Sequence, residues 1–224
     1  MGQLRRTLFA VIWLAPPLAG CRPAVPASLP AVPPPVSPRS MSARIVAAAR
    51  DEVRRGVTYD ASYQTLAYPG GDVARDRGAC TDVVIRALRA AGYDLQKLVR
   101  EDMGRRWSAY PHRYGLARPD PSIDHRRVPN LRVFFAKYGD SLPLSTTGPD
   151  GSTWKAGDIV FWTLTGGVLD HCGVVTDTRG PSGLPTVVHN IGAAAEEDCL
   201  PRWRITGHIR FPKERGSKSG RRRG

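Results

Sequence analysis

Apolar residues recur three and four apart in four stretches of the first 140 residues and fall into alternation over much of the remainder. Ser42 to Arg55 places Ile45, Ala49 and Val53 on one stripe and meets Gly56, which predicts a helix with a glycine stop. From Cys80 the same period runs to Gly92, a residue suited to a left-handed C-cap. Asp94 is a good N-cap for a further helix to about Met103, because its carboxylate can accept first-turn N–H groups. Pro129 to Tyr138, carrying Leu131, Val133, Phe134 and Phe135, completes the set and stops at Gly139, the proline at the front being compatible with a first helical turn.

Beyond Gly139 the period drops to two. Ile159–Trp162, Gly173–Val175, Thr186–His189 and Ile205–Phe211 are short, rich in β-branched residues and bounded by turn formers, which predicts strands. Val57 to Ala79 and Tyr110 to Arg127 lack clean periodicity. They are expected as loops, the second a long surface loop of the length that often carries function. Helices first and consecutive strands afterwards predict an α+β domain, with N-terminal helices packed on a small antiparallel sheet.

The periodic body spans residues 42–212, enough for one domain with a real core. Ahead of it, Arg5 and Arg6 followed by the apolar stretch Leu8 to Leu14 form the pattern of a signal peptide over residues 1–20, too short to span a bilayer as a helix. Leu18-Ala19-Gly20-Cys21 resembles the lipobox of bacterial lipoproteins, which implies cleavage before Cys21 and lipidation of that cysteine. A plain signal peptide with a chance cysteine is the alternative. Residues 21–41 are proline-rich and free of aromatic residues, the composition of an extended tether. Arg22, where an aspartate would signal retention, points by the same resemblance to an exported protein on the periplasmic face, anchored in the outer membrane.

A formal charge of +13 raises the question of nucleic acid. Residues 1–41 hold four arginines and no acid, and residues 213–224 hold six basic groups against Glu214, which leaves +4 for the body. The charge therefore sits at the ends. The basic tail reads as disordered and suited to anionic envelope polymers or headgroups, and an exported chain with no basic stripe on its body is not expected to bind nucleic acid.

Cys80 is the first candidate for chemistry. A thiol in the first turn of a helix meets the positive end of the dipole, which favours the thiolate. His171 and His189 lie on successive predicted strands, each nine residues from Gly180. A hairpin centred there would set them opposite one another on one face, with Cβ atoms about 4.5–5.5 Å apart; a one-residue bulge would separate them. One imidazole could then accept the thiol proton while the other fixes its tautomer, and His171 is assigned as base and His189 as orienter. Cys172, adjacent to His171, is expected on the opposite face, away from the site. It could pair with Cys199 as a disulfide, or both could stay buried thiols. No cysteine or histidine spacing resembles a zinc site, and no metal or cofactor is expected. Trp154, Trp162 and Trp203 are expected in the core.

Gly157-Asp158-Ile159-Val160-Phe161-Trp162, Asp170-His171-Cys172-Gly173-Val174-Val175 and Val187-Val188-His189 resemble the paired-strand motifs of the NlpC-type papain-like cysteine peptidases, which cleave peptidoglycan peptides. Tyr68-Pro69-Gly70-Gly71, Cys80-Thr81-Asp82-Val83-Val84, Asp124 to Asn130 and His189-Asn190-Ile191-Gly192 extend that likeness to the bacterial domain-of-unknown-function family 1287, over residues 43–212. The resemblance implies a papain-like (NlpC-type) fold and a cell-envelope hydrolase of peptidoglycan amide bonds. Its nucleophile would be Cys80, with His171 as base and His189 as the third polar residue. Tyr68 would stand near the nucleophile, able to help bind an oxyanion. Asp82, His125 and Arg126 are weaker candidates for the substrate cleft, Arg126 because a guanidinium fork suits a carboxylate. Ala79 before the cysteine and Thr81-Asp82 after it depart from the usual acidic residue and Ser-Gly of that hydrolase pattern. Transpeptidase, amidase or acyltransferase chemistry at the same site, or an inactive envelope-binding lipoprotein, are the competing readings.

Overall fold

Ser40 accepts a hydrogen bond from the backbone N–H of Ala43 at 3.1 Å and so starts helix α1 (Met41–Arg54), satisfying one of the donors a helix start leaves open. In this computed structural model residues 40–213 are described, apart from 112–114, 116, 149–152, 165 and 168. The predicted signal, the lipobox with Cys21, the tether as far as residue 39 and the basic tail beyond Lys213 lie outside the described residues. Among the described residues no helix is long and apolar enough to cross a membrane.

Helix α2 (Cys80–Ala90) ends before Gly92, whose φ of +96° is a conformation that side-chain-bearing residues avoid. Asp94 caps α3 (Leu95–Arg105) by accepting from the backbone of Gln96 and Lys97, and α4 (Val128–Tyr138) carries Pro129 in its first turn. All four helices therefore fall where the apolar period places them.

Strands β1 (Thr58–Tyr59) and β2 (Arg77–Gly78) form a small parallel pair. The main sheet holds β3 (Asp140–Ser141), β4 (Ile159–Thr163), β5 (Asp170–Arg179), β6 (Pro185–Asn190), β7 (Ala194–Glu197) and β8 (Arg204–Arg210). Its spatial order is β3-β8-β4-β5-β6-β7, antiparallel throughout. The α+β reading of four helices on an antiparallel sheet thus describes the domain.

The two faces of the sheet pack differently. Ile159, Phe161, Cys172, Val174, Val188 and Ile209 meet Val83, Val84 and Ala87 of α2 and Leu131 and Phe135 of α4 in the larger core. On the other face Val160, Trp162, Val175 and Val187 are covered by Trp154, Cys199 and Leu200, with Trp203 against them. Cys172 and Cys199 are free thiols in separate cores on opposite faces, so the disulfide alternative is not realised.

Arg86, on α2 and 4 % exposed, organises the approach to Cys80. Its guanidinium pairs with Glu52 of α1 at 2.5 Å and with Asp72 at 3.0 Å, and donates to the carbonyls of Val73, Ala74 and Arg77 at 3.1–3.2 Å. A buried cation is tolerable only when its donors are used in this way. The long loop expected between Tyr110 and Arg127 is not wholly on the surface. Its end, Asp124–Arg126, is a 3₁₀ turn buried against α2, α3 and α4.

Candidate active site

Helix α2 begins with Cys80 because the chain before it is extended at Ala79 and Asp82 closes the first turn, its carboxylate accepting from the Ala79 N–H at 2.6 Å. Asp82 is itself gripped by Arg126, Nε to Oδ1 at 3.0 Å and Nη2 to Oδ2 at 2.9 Å. The same guanidinium holds the carbonyls of Ser62 at 2.9 Å and Asp60 at 3.1 Å. Asp82 and Arg126 therefore fix the helix start against the 60–62 loop. Their polar atoms are committed to protein partners, although Arg126 still forms part of the cleft wall.

The thiol of Cys80 is pulled down to about 5. A hydrogen bond from the Cys172 thiol is the largest cause; a hydrogen bond and charge from His171 act the same way, against burial. Cys172 is pushed well above its ordinary value, first by burial and then by its neighbour Cys80, and so remains the proton donor of the pair. Cys172 and His171 leave β5 on opposite faces, yet both interact with one sulfur. Cys80 thus stands at the end of the strand, where both faces can be reached. Strand alternation put Cys172 away from the site; the position at the strand end overrides it.

His171 Nε2 lies 3.0 Å from His189 Nδ1, leaving Nδ1 of His171 as the ring nitrogen for the thiol. The two histidines share a face, as expected, but do not sit opposite one another. Val174 pairs with Val188 and Val175 with Val187, with an irregularity before Arg179, so His189 lies across from Gly173 and reaches His171 diagonally. The turn is displaced from Gly180, and a shift of two residues preserves the face that a shift of one would lose. A Cβ on Gly173 would stand 2.8 Å from the Val188 carbonyl and 3.2 Å from Cβ of His189; its absence gives that side chain room to lean toward His171.

His189 is fully buried, and its pKa falls to about 4, through burial first and then the charge of His171, with Glu197 opposing. It is therefore a neutral imidazole at physiological pH. To accept from His171 at Nδ1 it must carry its proton on Nε2, which faces Glu197 Oε2 at 3.6 Å. Trp162 stacks on His171 at 5.7 Å and 21°, and the Trp203 ring stands edge-on to both histidines at 5.9 and 5.7 Å. Two of the tryptophans expected simply as core thus wall the histidine pair.

Cys80 opens on a cleft of about 500 Å³ walled by Tyr59, Tyr63, Arg127, Leu169 and Asp170 among others. Tyr68 is not brought to it: its ring packs under the Arg100 guanidinium at 5.4 Å, and it does not line the cleft. Tyr59 takes the nearer place. Pairing of β1 with β2 sets it beside Gly78, two residues before Cys80, and its hydroxyl is pushed up by burial and then by the charge of Cys80. A two-residue parallel bridge leaves no periodic signal, so sequence reasoning could not find it. His125 is likewise not on the cleft. It is 2 % exposed, held neutral by burial first and then by the Arg126 charge at about 4, and its Nδ1 makes no hydrogen bond. Behind His189, the short β7 brings Glu197 and Cys199 close, so that one donor atom from each of His189, Glu197 and Cys199 lies within 4.8 Å of the others. No local spacing advertised that group.

The family described as "Domain of unknown function (DUF1287)" matches residues 46–211. The chain is also similar to "Uncharacterized protein YijF" of Escherichia coli (strain K12), with 49% identity over 185 residues that cover 81% of this chain and 88% of that one. No solved structure matches the chain.

Proposed function

The chain belongs to the DUF1287 family, and we propose that it is a cell-envelope cysteine hydrolase that cleaves amide bonds of peptidoglycan peptides through a thioester, on a papain-like fold of the NlpC type. The observation that carries this reading is the placement of the Cys80 thiol at a helix start on a cleft, with the His171–His189 pair, 3.0 Å apart, acting on it. Three residues far apart in the chain converge on the arrangement nucleophilic catalysis needs: an activated nucleophile, a base, and a group that orients the base.

Cys80, its thiol proton passed to Nδ1 of His171, attacks the substrate carbonyl, and the carbonyl π electrons move onto oxygen. The Cys80 N–H, in the first turn of α2 and outside the helical ladder, is placed to donate to that oxygen. As the C–N bond breaks, His171 delivers its proton to the departing amine, leaving an acyl thioester on Cys80. Water then adds to the thioester, gives a proton to His171 and expels the thiolate with a carboxylic acid product. Throughout, His189 accepts from His171 at Nε2 and so stabilises the imidazolium. Arg127, which also pairs with Asp124 at 3.0 Å, and Asp170 place opposite charges on the cleft wall, along which a peptide would lie. Export and lipid anchoring at Cys21 would put the domain beside its polymer, within reach of a proline-rich tether. Digestion of purified cell walls followed by fragment masses tests the reading: wild type should release muropeptide fragments and Cys80→Ala should not. Equal release by both would overturn it.

A further inference from the structure

We propose that His189, Glu197 and Cys199 form a site for a divalent cation of the zinc class, and that the cation, once bound there, holds the histidine pair in the wrong tautomer for catalysis. The set is chemically apt, since imidazole, carboxylate and thiolate are the three ligand types zinc takes. It is also geometrically close. Ligands around a tetrahedral zinc lie about 3.3–3.6 Å apart; His189 Nε2 and Glu197 Oε2 stand at 3.6 Å, and all three donor atoms fall within 4.8 Å of one another. An independent observation points to a ligand here. His189 Nε2 is fully buried and makes no hydrogen bond, although it faces this group, and a buried polar atom left so is destabilising until a partner takes it. Arg202 donates to the same Oε2 of Glu197 at 2.5 Å and lies 5.2 Å from the Trp203 ring, so a bound cation would share that carboxylate with the guanidinium.

Binding has a definite consequence for protons. The metal takes the lone pair of His189 Nε2, so the ring proton must move to Nδ1, and Cys199 binds as thiolate with its proton released to solvent. His189 Nδ1 then donates to His171 Nε2 where before it accepted. His171, accepting at Nε2, carries its own proton on Nδ1, the nitrogen left for Cys80, and can no longer take one from the thiol. Cation binding stands on the site alone. Only its effect on catalysis rests on the hydrolase reading.

The test uses the purified chain with Zn²⁺ or Co²⁺ as the only added ligand. One equivalent of Co²⁺ should produce a thiolate-to-cobalt charge-transfer band. Cys199→Ser should abolish the band, and Glu197→Gln, at a partly exposed position, should weaken binding at least about tenfold. Cys80→Ala should leave the band intact. Zn²⁺ should slow iodoacetamide labelling of Cys80 in the wild type and not in Cys199→Ser. Absence of the band, its survival in Cys199→Ser, or its loss in Cys80→Ala would overturn the site. An intact band together with Zn²⁺-independent labelling would overturn the tautomer switch. If cell-wall digestion failed while the band and its Cys199 dependence persisted, the hydrolase reading would fall and the cation site would stand.

Discussion

Two histidines of this domain are buried equally and serviced very differently. His208, on β8 and 1 % exposed, is satisfied at both ring nitrogens: Nδ1 meets the Pro143 carbonyl at 2.8 Å and Nε2 meets Asp158 at 2.8 Å. Asp158 is further clamped by Arg210 at 2.8 Å, and Trp154 stacks on the imidazole at 3.5 Å and 8°. His189 has an aromatic wall and a carboxylate too, but its single hydrogen bond runs to another histidine and its second nitrogen has none. The difference separates a histidine that holds the fold from one that, in the proposed relay, would hold a reactive partner. Full satisfaction locks one protonation pattern, whereas an imidazole with a spare nitrogen can trade tautomers.

Substitutions should break this contrast in a definite order. The largest effect falls on the proposed nucleophile: Cys80→Ala should lower fragment release by about ten-thousand-fold or more without unfolding the domain, read by mass spectrometry and circular dichroism together. Next come the histidine partners. His189→Ala should cost about a hundredfold in turnover, and near-wild-type turnover would remove His189 from the relay. His208→Ala should do the reverse. It leaves Asp158 short of a partner and should cost about 2–4 kcal/mol in denaturant unfolding, with turnover per folded molecule unchanged; a large turnover loss would erase the distinction between the two histidines. The subtlest effect concerns pH. Because the Cys80 thiol lies near 5, its iodoacetamide labelling should rise as pH passes upward through about 5 and level off below neutrality. Cys199, pushed up to about 12 by burial, should stay slow. Cys172→Ala removes the leading donor to the Cys80 sulfur and should move that inflection to higher pH, while Cys172→Ser, which keeps a donor, should move it less.

Much of this architecture was legible because local rules met no opposition. Gly92, Asp94 and Gly139 punctuate helices at the residues where the apolar period ends, and the parity of His171 and His189 survived a misplaced turn because the error was two residues. What escaped notice was set by distant contacts. β7 reads Ala194 to Glu197, a sequence of low strand propensity; it is a strand because it pairs with β6 and because Ala194 donates to the Val57 carbonyl at 2.8 Å. Glu197 was invisible for that reason. Tyr68 answered to the motif and Tyr59 to the geometry. Cys172 was placed by a rule that treats a strand as having two faces and no ends. His125 and Arg126 sit in a segment whose prolines and charges suggested solvent, yet Arg126 found buried work on Asp82 that no periodicity foretells.

The Arg86 hub bears on how the molecule opens over time. Segment 72–76 is irregular and leads into the two-residue β2, and such a segment would ordinarily exchange its amide hydrogens in brief local openings. Here its carbonyls, with that of Arg77, are tied to a guanidinium that is anchored at once to α1 and α2. Lifting the segment means stripping a buried cation of its partners. The strand-poor approach to Cys80 should therefore open together with the helices, and the loop that leads to the proposed nucleophile should behave, on the timescale of hydrogen exchange, as part of the core.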